Sequence, residues 1–417
     1  MLTLQSVFGV FVLLGLAWAL SENRRAVSWR NAAVGLIVTA VAAFVMLKVP
    51  QIKAGFDVAN LGVRAIASAT TAATSFVFGY AGGGPLPFEL KPGATAYIFA
   101  FETLPIVLVM SVLTTLLFYW RIMPPIVRAF SWALERTMGV GGAVGLSTAA
   151  NIFLGMVEAP LFIRPYLAQM SRSELFVVMT GGMAGVAGTV FVIYATILGP
   201  TIPGAAGHII VASVLGAPAA ILISHLMVPD ADTRRTLGDL DSTAGHIAES
   251  TMDAIVKGTT AGLELLLNIV AMLIVFVALV HLVDEGLGLL PEVAAGPVSL
   301  ERILGTIMAP VCWLMGVPWS EATTAGSLMG FKTILNEFIA YLQMAALPDG
   351  ALSPRSRLIM LYAMCGFANF GSVGIMVAGL TTMAPTRRAD ILSLGMKSIV
   401  SGTLTTCLLG AIVGALS

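Results

Sequence analysis

Charge is what this chain has least of. Only 11% of its 417 residues are Asp, Glu, Lys or Arg, and the 22 acidic and 22 basic side chains cancel. Soluble domains carry about 25% charged residues, so a soluble globular protein is excluded. With no net basic charge there is no electrostatic footprint for nucleic acid. Cysteine is almost as scarce: Cys312, Cys365 and Cys407 lie far apart in or beside apolar segments, which suits neither a disulfide framework nor a zinc site. No basic region precedes the apolar residues 4–20, so that stretch is read as a first membrane helix and not a cleaved signal. Catalytic signatures are missing as well: no G-x-S-x-G elbow and no H-E-x-x-H pair occurs. The segment GSLMGFKT (326–333) has three residues between its glycines, and Phe331 separates Gly330 from Lys332. A phosphate-binding loop needs four residues there and an adjacent lysine. Neither an enzyme, an organic cofactor nor ATP-driven transport is expected.

What the chain has instead is apolar length. Hydrophobic residues make up 58% and the mean hydropathy is +0.94. Stretches of about 20 apolar residues, enough to cross a hydrocarbon core of about 30 Å, recur from end to end. The fold class expected is an all-α polytopic membrane protein. It should have about eight transmembrane helices, at 4–20, 31–49, 95–120, 174–199, 206–228, 258–283, 357–383 and 390–416. The less hydrophobic 53–80 reads as an interfacial or packed helix, and the polar 229–257 as short surface helices. Arg24, Arg25 and Arg30, then Arg121, then Arg234 and Arg235, then Arg387 and Arg388 each follow an odd-numbered span. The positive-inside rule assigns those loops to the cytoplasm and both termini to the outside. Arg355 and Arg357 violate the pattern, and Lys48 and Lys53 strain it.

Two segments are the wrong length for a crossing. Residues 141–170 are interrupted around Gly155 and Pro160, and 319–346 around Asn336-Glu337, leaving arms of 12 to 14 residues in the first. Arms that short suit re-entrant helical hairpins. A repeat supports the pairing: MGV opens each (138–140 and 315–317), and each is followed by a span with a matching core, GMAGVAG (182–188) and GFANFGS (366–372). Gly182 pairs with Gly366, Ala184 with Ala368 and Gly185 with Asn369. Three spans separate the hairpins, so the repeats are inverted, an arrangement characteristic of secondary transporters. The chain divides into N-terminal scaffold helices (1–94), a first repeat (95–228), a linker with the sixth span (229–298) and a second repeat (299–417).

Glu158 and Glu337 stand at the two breaks. A carboxylate at membrane depth costs about 2.5 kcal/mol or more on insertion scales and usually has a function; the competing reading is a glutamate capping its own tip. Lys332 could simply pair with Glu337. Asn151 and Asn369 offer amide oxygens beside broken backbone, suited to a hard cation or to an interhelical hydrogen bond. Glu102 and Glu264, within spans but far from a break, read as structural pairs.

The segments Asn-Ile-Phe-Leu-Gly-Met-Val-Glu-Ala-Pro (151–160), Leu-Asn-Glu-Phe (335–338) and Cys-Gly-Phe-Ala-Asn-Phe-Gly-Ser (365–372) resemble the signatures of the concentrative nucleoside transporter family, and the resemblance runs essentially end to end. It implies a homotrimer in a bacterial inner membrane, each subunit importing a nucleoside with H+ or Na+ by alternating access. It also implies that Gly155, Met156, Val157, Glu158, Val190 and Phe367 surround the base, and that Glu337, Asn369 and Ser372 hold the ribose. A sodium site would fall at Asn151, the carbonyls of Leu154 and Val186, and Gly185. Two positions depart from the family pattern. Met156 and Val157 stand where many members have Gln and Thr or Ser, and Gly185 stands where a serine contributes a hydroxyl ligand. The first departure puts the base preference in doubt. The second leaves proton coupling through a desolvated Glu158 as an expectation beside sodium. The alternatives are the same fold carrying a nucleobase or modified nucleoside, or a passive channel.

Overall fold

The computed structural model describes residues 2–91, 95–229, 248–291 and 297–417. Most of the polar stretch 229–257, with Arg234, Arg235 and His246, lies outside the described residues. The described chain is all helical. In order the helices are α1 (Leu2–Ala19), α2 (Trp29–Lys48), α3 (Pro50–Phe78), α4 (Phe99–Glu102), α5 (Ile106–Tyr119), α6 (Met123–Met138), α7 (Gly142–Ala150), α8 (Glu158–Leu161), α9 (Arg164–Leu167) and α10 (Arg172–Ala184). Then come α11 (Gly188–Leu198), α12 (Ala205–Met227), α13 (Thr251–Leu287), α14 (Leu300–Leu314), α15 (Trp319–Ile334), α16 (Glu337–Ala346), α17 (Pro354–Met364), α18 (Phe370–Met383) and α19 (Arg388–Leu416).

Among the described residues, eight helical segments are long and apolar enough to cross a membrane, but they are not quite the eight expected. The segment 357–383 is not one helix: it stops at Met364 and restarts at Phe370. The eighth is Val58–Gly82, whose hydropathy of 1.3 is the lowest of the set. The arginine pattern requires an even number of crossings between α2 and α5. Sequence reading expected this stretch to be an interfacial or packed helix; as α3 it is 29 residues long.

Burial sorts the spans into layers. The helices α10, α12 and α19 are buried along most of their length, whereas the most apolar stretch of α13 has no buried residue. Its exposed Leu267, Ile274, Val277 and Leu282 suit lipid or another subunit. The helix is held to the rest by α5. A Cβ on Gly258 or Gly262 would come within 2.7 or 2.9 Å of the α5 backbone at Val112 or Leu108, so these small residues, four apart, let the two backbones touch.

The internal repeat is visible in the backbone. Each hairpin is preceded by an amphipathic helix that sequence reading left unassigned, α6 in one half and α14 in the other. The matched glycines of the MGV pairs, Gly139 and Gly316, turn the chain out of these helices with φ of 65° and 101°, a conformation that favours glycine. Helix α14 then folds back on α15 at 116°.

The two arginines that broke the topology rule are occupied. Arg357 is buried and donates to the carbonyls of Leu352, Met344 and Pro348 at 3.3–3.4 Å. Arg355 donates to Ser6 Oγ at 3.1 Å and the Gly414 carbonyl at 2.5 Å, and to the Gly316 carbonyl. They tie α1, α19 and the second hairpin together instead of marking a membrane face.

At the opposite end an ionic cluster fastens the α1–α2 loop to α10 and α19. Arg172 contacts Glu22 at 2.9 Å and Asp390 at 3.0 Å, Lys397 contacts Glu22, and Arg387 contacts Asp390 at 2.9 Å. The Arg172 guanidinium above all holds the Glu22 carboxyl down at about 2. A carboxylate with a depressed folded-state value stabilises the fold above its unfolded value, and the contribution is lost as pH falls through the folded one. The Glu22→Gln variant should therefore lose stability at neutral pH, by about 1 kcal/mol after allowance for its solvent exposure. That difference should shrink as pH falls from about 4.5 toward about 2, which thermal unfolding of the purified protein across this range would measure.

Candidate functional site

Four helix breaks meet in the interior, three of them joined by backbone hydrogen bonds and the fourth by side chains. The first hairpin descends through α7 and turns at 151–157 into α8. The break between α10 and α11 at Gly185–Ala187 lies against this tip, with Gly188 N–H donating to the Phe153 carbonyl at 3.1 Å. The break between α17 and α18 lies against the break between α10 and α11: Phe367 N–H donates to the Gly185 carbonyl at 3.2 Å. In the second hairpin α15 ends at Ile334, and Asn336 caps α16 by accepting from Ile339 N–H at 2.9 Å. Asn369 caps α18 in the same way, accepting from Ser372 N–H at 2.7 Å.

Glu337, the first residue of α16, is buried. The Tyr194 hydroxyl donates to one of its carboxylate oxygens at 2.6 Å, and Asn369 Nδ2 donates to the other at 3.3 Å. Asn369 thus links Glu337 to the backbone of Ser372, and the structure brings these three residues together. Around Tyr194 the rings of Phe338 and Tyr341 pack at 5.9 and 5.1 Å, and Phe99 stacks on Phe338 at 5.6 Å. Lys332 is fully buried, yet it makes no ion pair with Glu337, and its Nζ has no hydrogen-bond partner among the described residues.

The first hairpin behaves differently. Glu158 is exposed, and its carboxylate folds back over the tip, where a Cβ on Gly155 would come within 2.2 Å of Oε2. This exposure differs from the desolvated setting that sequence reading expected for Glu158. Met156 lies against Gly182 of α10, and Val157 packs against Gly379 of α18. Val190 is buried on α11 and Phe367 is half-buried.

The residues expected around a cation also assemble at this junction. Asn151 ends α7, is buried, and donates through Nδ2 to the Gly181 carbonyl at 2.6 Å. A Cβ on Gly185 would lie 2.8 Å from that amide nitrogen. The carbonyls of Leu154 and Val186 accept no hydrogen bond from the described residues. Two helices, α7 and α10, end here with their partially negative carbonyl termini.

Tyr194 is the residue that sequence reading missed. It lies four residues after Val190, hence on the same face of α11, and that spacing was the available signal. Among the residues set aside as structural, Glu102 accepts from Ile98 N–H at 3.0 Å, whereas Glu264 is exposed on α13 with no ion pair among the described residues. A cavity of about 440 Å³ beside Leu47, Lys48, Asn60 and His208 contains none of the site residues.

Three sequence profiles cover most of the chain: the N-terminus of Na+ dependent nucleoside transporters at 8–81, a nucleoside recognition Gate region at 100–201, and the transporter C-terminus at 208–414. An uncharacterized transporter of Haemophilus influenzae is 37% identical, covering 99% of this chain and 98% of its own. The chain belongs to the concentrative nucleoside transporter family. The nucleoside permease NupC of Helicobacter pylori is 34% identical over 99% of this chain and 97% of the relative. Sodium/nucleoside cotransporter 1 of Mus musculus is 33% identical over 99% of this chain and 64% of the longer mouse protein. Among solved structures of the family, CNTnw in an inward-facing substrate-bound state superposes with a TM-score of 0.89 at 34% identity. It covers 100% of this chain and 98% of that one. An outward-facing CNTnw variant gives 0.91 at 34% identity, over 100% and 97%. The family is one of membrane transporters, not enzymes.

The contact between the first hairpin tip and α11 has a direct test. Alanine at Gly188 would place its Cβ 2.5 Å from the Phe153 carbonyl, and overpacking of this kind costs about 1–3 kcal/mol. Gly188→Ala should lower both thermal stability and nucleoside uptake, whereas Thr189→Ala beside it, half-buried, should leave both near the parent values.

Proposed function

We propose that this chain is a cation-coupled symporter that imports nucleosides across a bacterial inner membrane by alternating access. The observation that carries the reading is the buried constellation of Glu337, Asn369 and Ser372 at the meeting of two helix breaks. A carboxylate that can accept two hydroxyls, beside an amide and a serine hydroxyl, matches the adjacent hydroxyls of a ribose. The base then lies toward the first hairpin, with Glu158 and Gly155 at the tip and Val190 and Phe367 as apolar surfaces. Met156 and Val157 contribute packing against α10 and α18 and no hydrogen bonds. Base recognition accordingly rests on Glu158 and shape. The nucleoside permease and sodium/nucleoside cotransporter names of the relatives support the substrate class.

Sodium is the coupling ion this geometry favours over protons. The Asn151 amide, the unengaged carbonyls of Leu154 and Val186 and two helix C-termini form an oxygen-rich junction of the kind a hard cation needs. Gly185 provides no hydroxyl, so water completes the shell. The apolar stretch of α13, in which no residue is buried, supports burial in a homotrimer. The two hairpins are re-entrant in this reading.

Uptake of a labelled nucleoside panel into proteoliposomes, under separate sodium and proton gradients, tests the whole scheme. Glu337→Gln should weaken binding of every nucleoside by about 1.5–3 kcal/mol, the range for a hydrogen bond to a charged group, with free bases scarcely affected. Normal affinity in the folded variant would remove the ribose assignment. Asn151→Ala should abolish sodium stimulation while any response to the pH gradient is unchanged. Uptake that ignores sodium in the parent chain and collapses with a protonophore would establish protons instead.

A further inference from the structure

Among the described residues three tyrosines, Tyr194, Tyr341 and Tyr362, are fully buried, and a buried phenol needs a hydrogen-bond partner. Two of them find one away from the substrate residues. Tyr341 donates to the Leu361 carbonyl at 2.9 Å, and the Tyr362 hydroxyl lies 3.0 Å from His208 Nδ1. Tyr194 spends its proton differently, on Glu337 Oε1 at 2.6 Å. That bond joins the two halves of the repeat, since Tyr194 stands on α11 and Glu337 opens α16. The helix that carries the glutamate also aims the tyrosine. Its ring packs at 5.9 Å on Phe338, the residue after Glu337, and at 5.1 Å on Tyr341, about one turn further along.

A glutamate does not fix its own carboxylate. The last torsion of the side chain is broad and roughly two-fold, so the plane in which the oxygens present their lone pairs is set by what they bond. Glu337 has two side-chain donors from different elements, Tyr194 on Oε1 and Asn369 Nδ2 on Oε2 at 3.3 Å. The tyrosine bond is the shorter by far. The Asn369 amide is also engaged in capping α18, through the Ser372 N–H at 2.7 Å. With one protein donor on each oxygen, each keeps a lone pair for a sugar hydroxyl.

We propose that Tyr194 is a positioning residue that sets how strictly the site demands sugar hydroxyls: its bond to Oε1 holds the Glu337 carboxylate in the plane that meets them. The inference rests on the ribose reading of Glu337. A fixed carboxylate rejects an analogue lacking a hydroxyl, because the lone pair placed to receive it stays unpaired in a buried site. A carboxylate free to turn re-pairs with the groups that remain, and the missing hydroxyl then costs less. Tyr194 acts through Glu337 in this scheme and not on the substrate.

The test is equilibrium binding to the purified full chain at fixed sodium and pH, with adenosine and uridine each compared with their 2′-deoxy and 3′-deoxy analogues. The quantity read is discrimination, the Kd of a deoxy analogue divided by the Kd of its ribonucleoside. For the analogue that the unmodified chain discriminates more, Tyr194→Phe should lower this ratio by about tenfold, the scale of one hydrogen bond to a charged group. The phenylalanine keeps the ring contacts; should it fold poorly, Tyr194→Met reads the same ratio. Tyr341→Phe removes a neighbouring buried hydroxyl that bonds a carbonyl, and should leave the ratio unchanged. Tyr194→Phe added to Glu337→Gln should leave the ratio where Glu337→Gln alone puts it. Equal weakening of every nucleoside by Tyr194→Phe, with the ratio unchanged, would overturn the proposal and leave Tyr194 a structural contact. So would an unmodified chain that binds all three sugars equally, or a further change of the ratio in the double variant. Failure of the ribose reading shows separately, as a single Glu337→Gln variant with parental affinity for every nucleoside.

Discussion

The rest of this structure depends on one constraint: a helix broken inside an apolar medium must find partners for the backbone groups the break exposes. Here the breaks solve the problem by meeting. The Gly188 amide closes on the first hairpin tip at Phe153, and the Phe367 amide closes on the neighbouring break at Gly185. Asparagines at 336 and 369 satisfy the N-termini that remain. The functional residues then follow from the chain path, since Glu337 sits one residue after one cap while Asn369 is the other. The same atoms that make the broken helices tolerable place a carboxylate and an amide side by side.

Charge inside the molecule obeys the same logic, which is why two arginines misled a topology rule based on composition. Positive-inside counting assumes that a basic side chain near a span end faces water. Arg355 and Arg357 face carbonyls instead. A sequence records that an arginine is present near an apolar run but not whether its hydrogen bonds go outward or inward. Of the remaining arginines in the pattern, Arg24, Arg25 and Arg388 are exposed.

Legibility in the sequence followed range of interaction. The hairpin breaks and the repeat could be read because glycine, proline and asparagine act on their own backbone, within a residue or two. The split of 357–383 was harder, since both halves are apolar and only GFANFGS marks the interruption. Tyr194 escaped because its partner Glu337 is 143 residues away, and its spacing from Val190 marks a shared helix face but not a polar contact. The exposure of Glu158 was also invisible. Its apolar neighbours Met156 and Val157 suggested desolvation, but those side chains turn into α10 and α18 and take the burial with them.

That difference between the two hairpins bears on how one fold can serve several substrates. The inverted repeat supplies two tips with a glutamate each, yet the surroundings have diverged. Glu337 is buried and bonded to Tyr194 and Asn369, an environment in which small displacements leave polar groups unpaired at high cost. Glu158 stands exposed over Gly155, outside any such bonded cluster, beside residues whose side chains are spent on packing. In the proposed reading the constrained half meets the sugar, common to every nucleoside, and the permissive half meets the base, which varies. Met156 and Val157 touch α10 and α18, so substitution there reaches the base side through the packing of the tip and leaves the bonds of Glu337 to Tyr194 and Asn369 untouched.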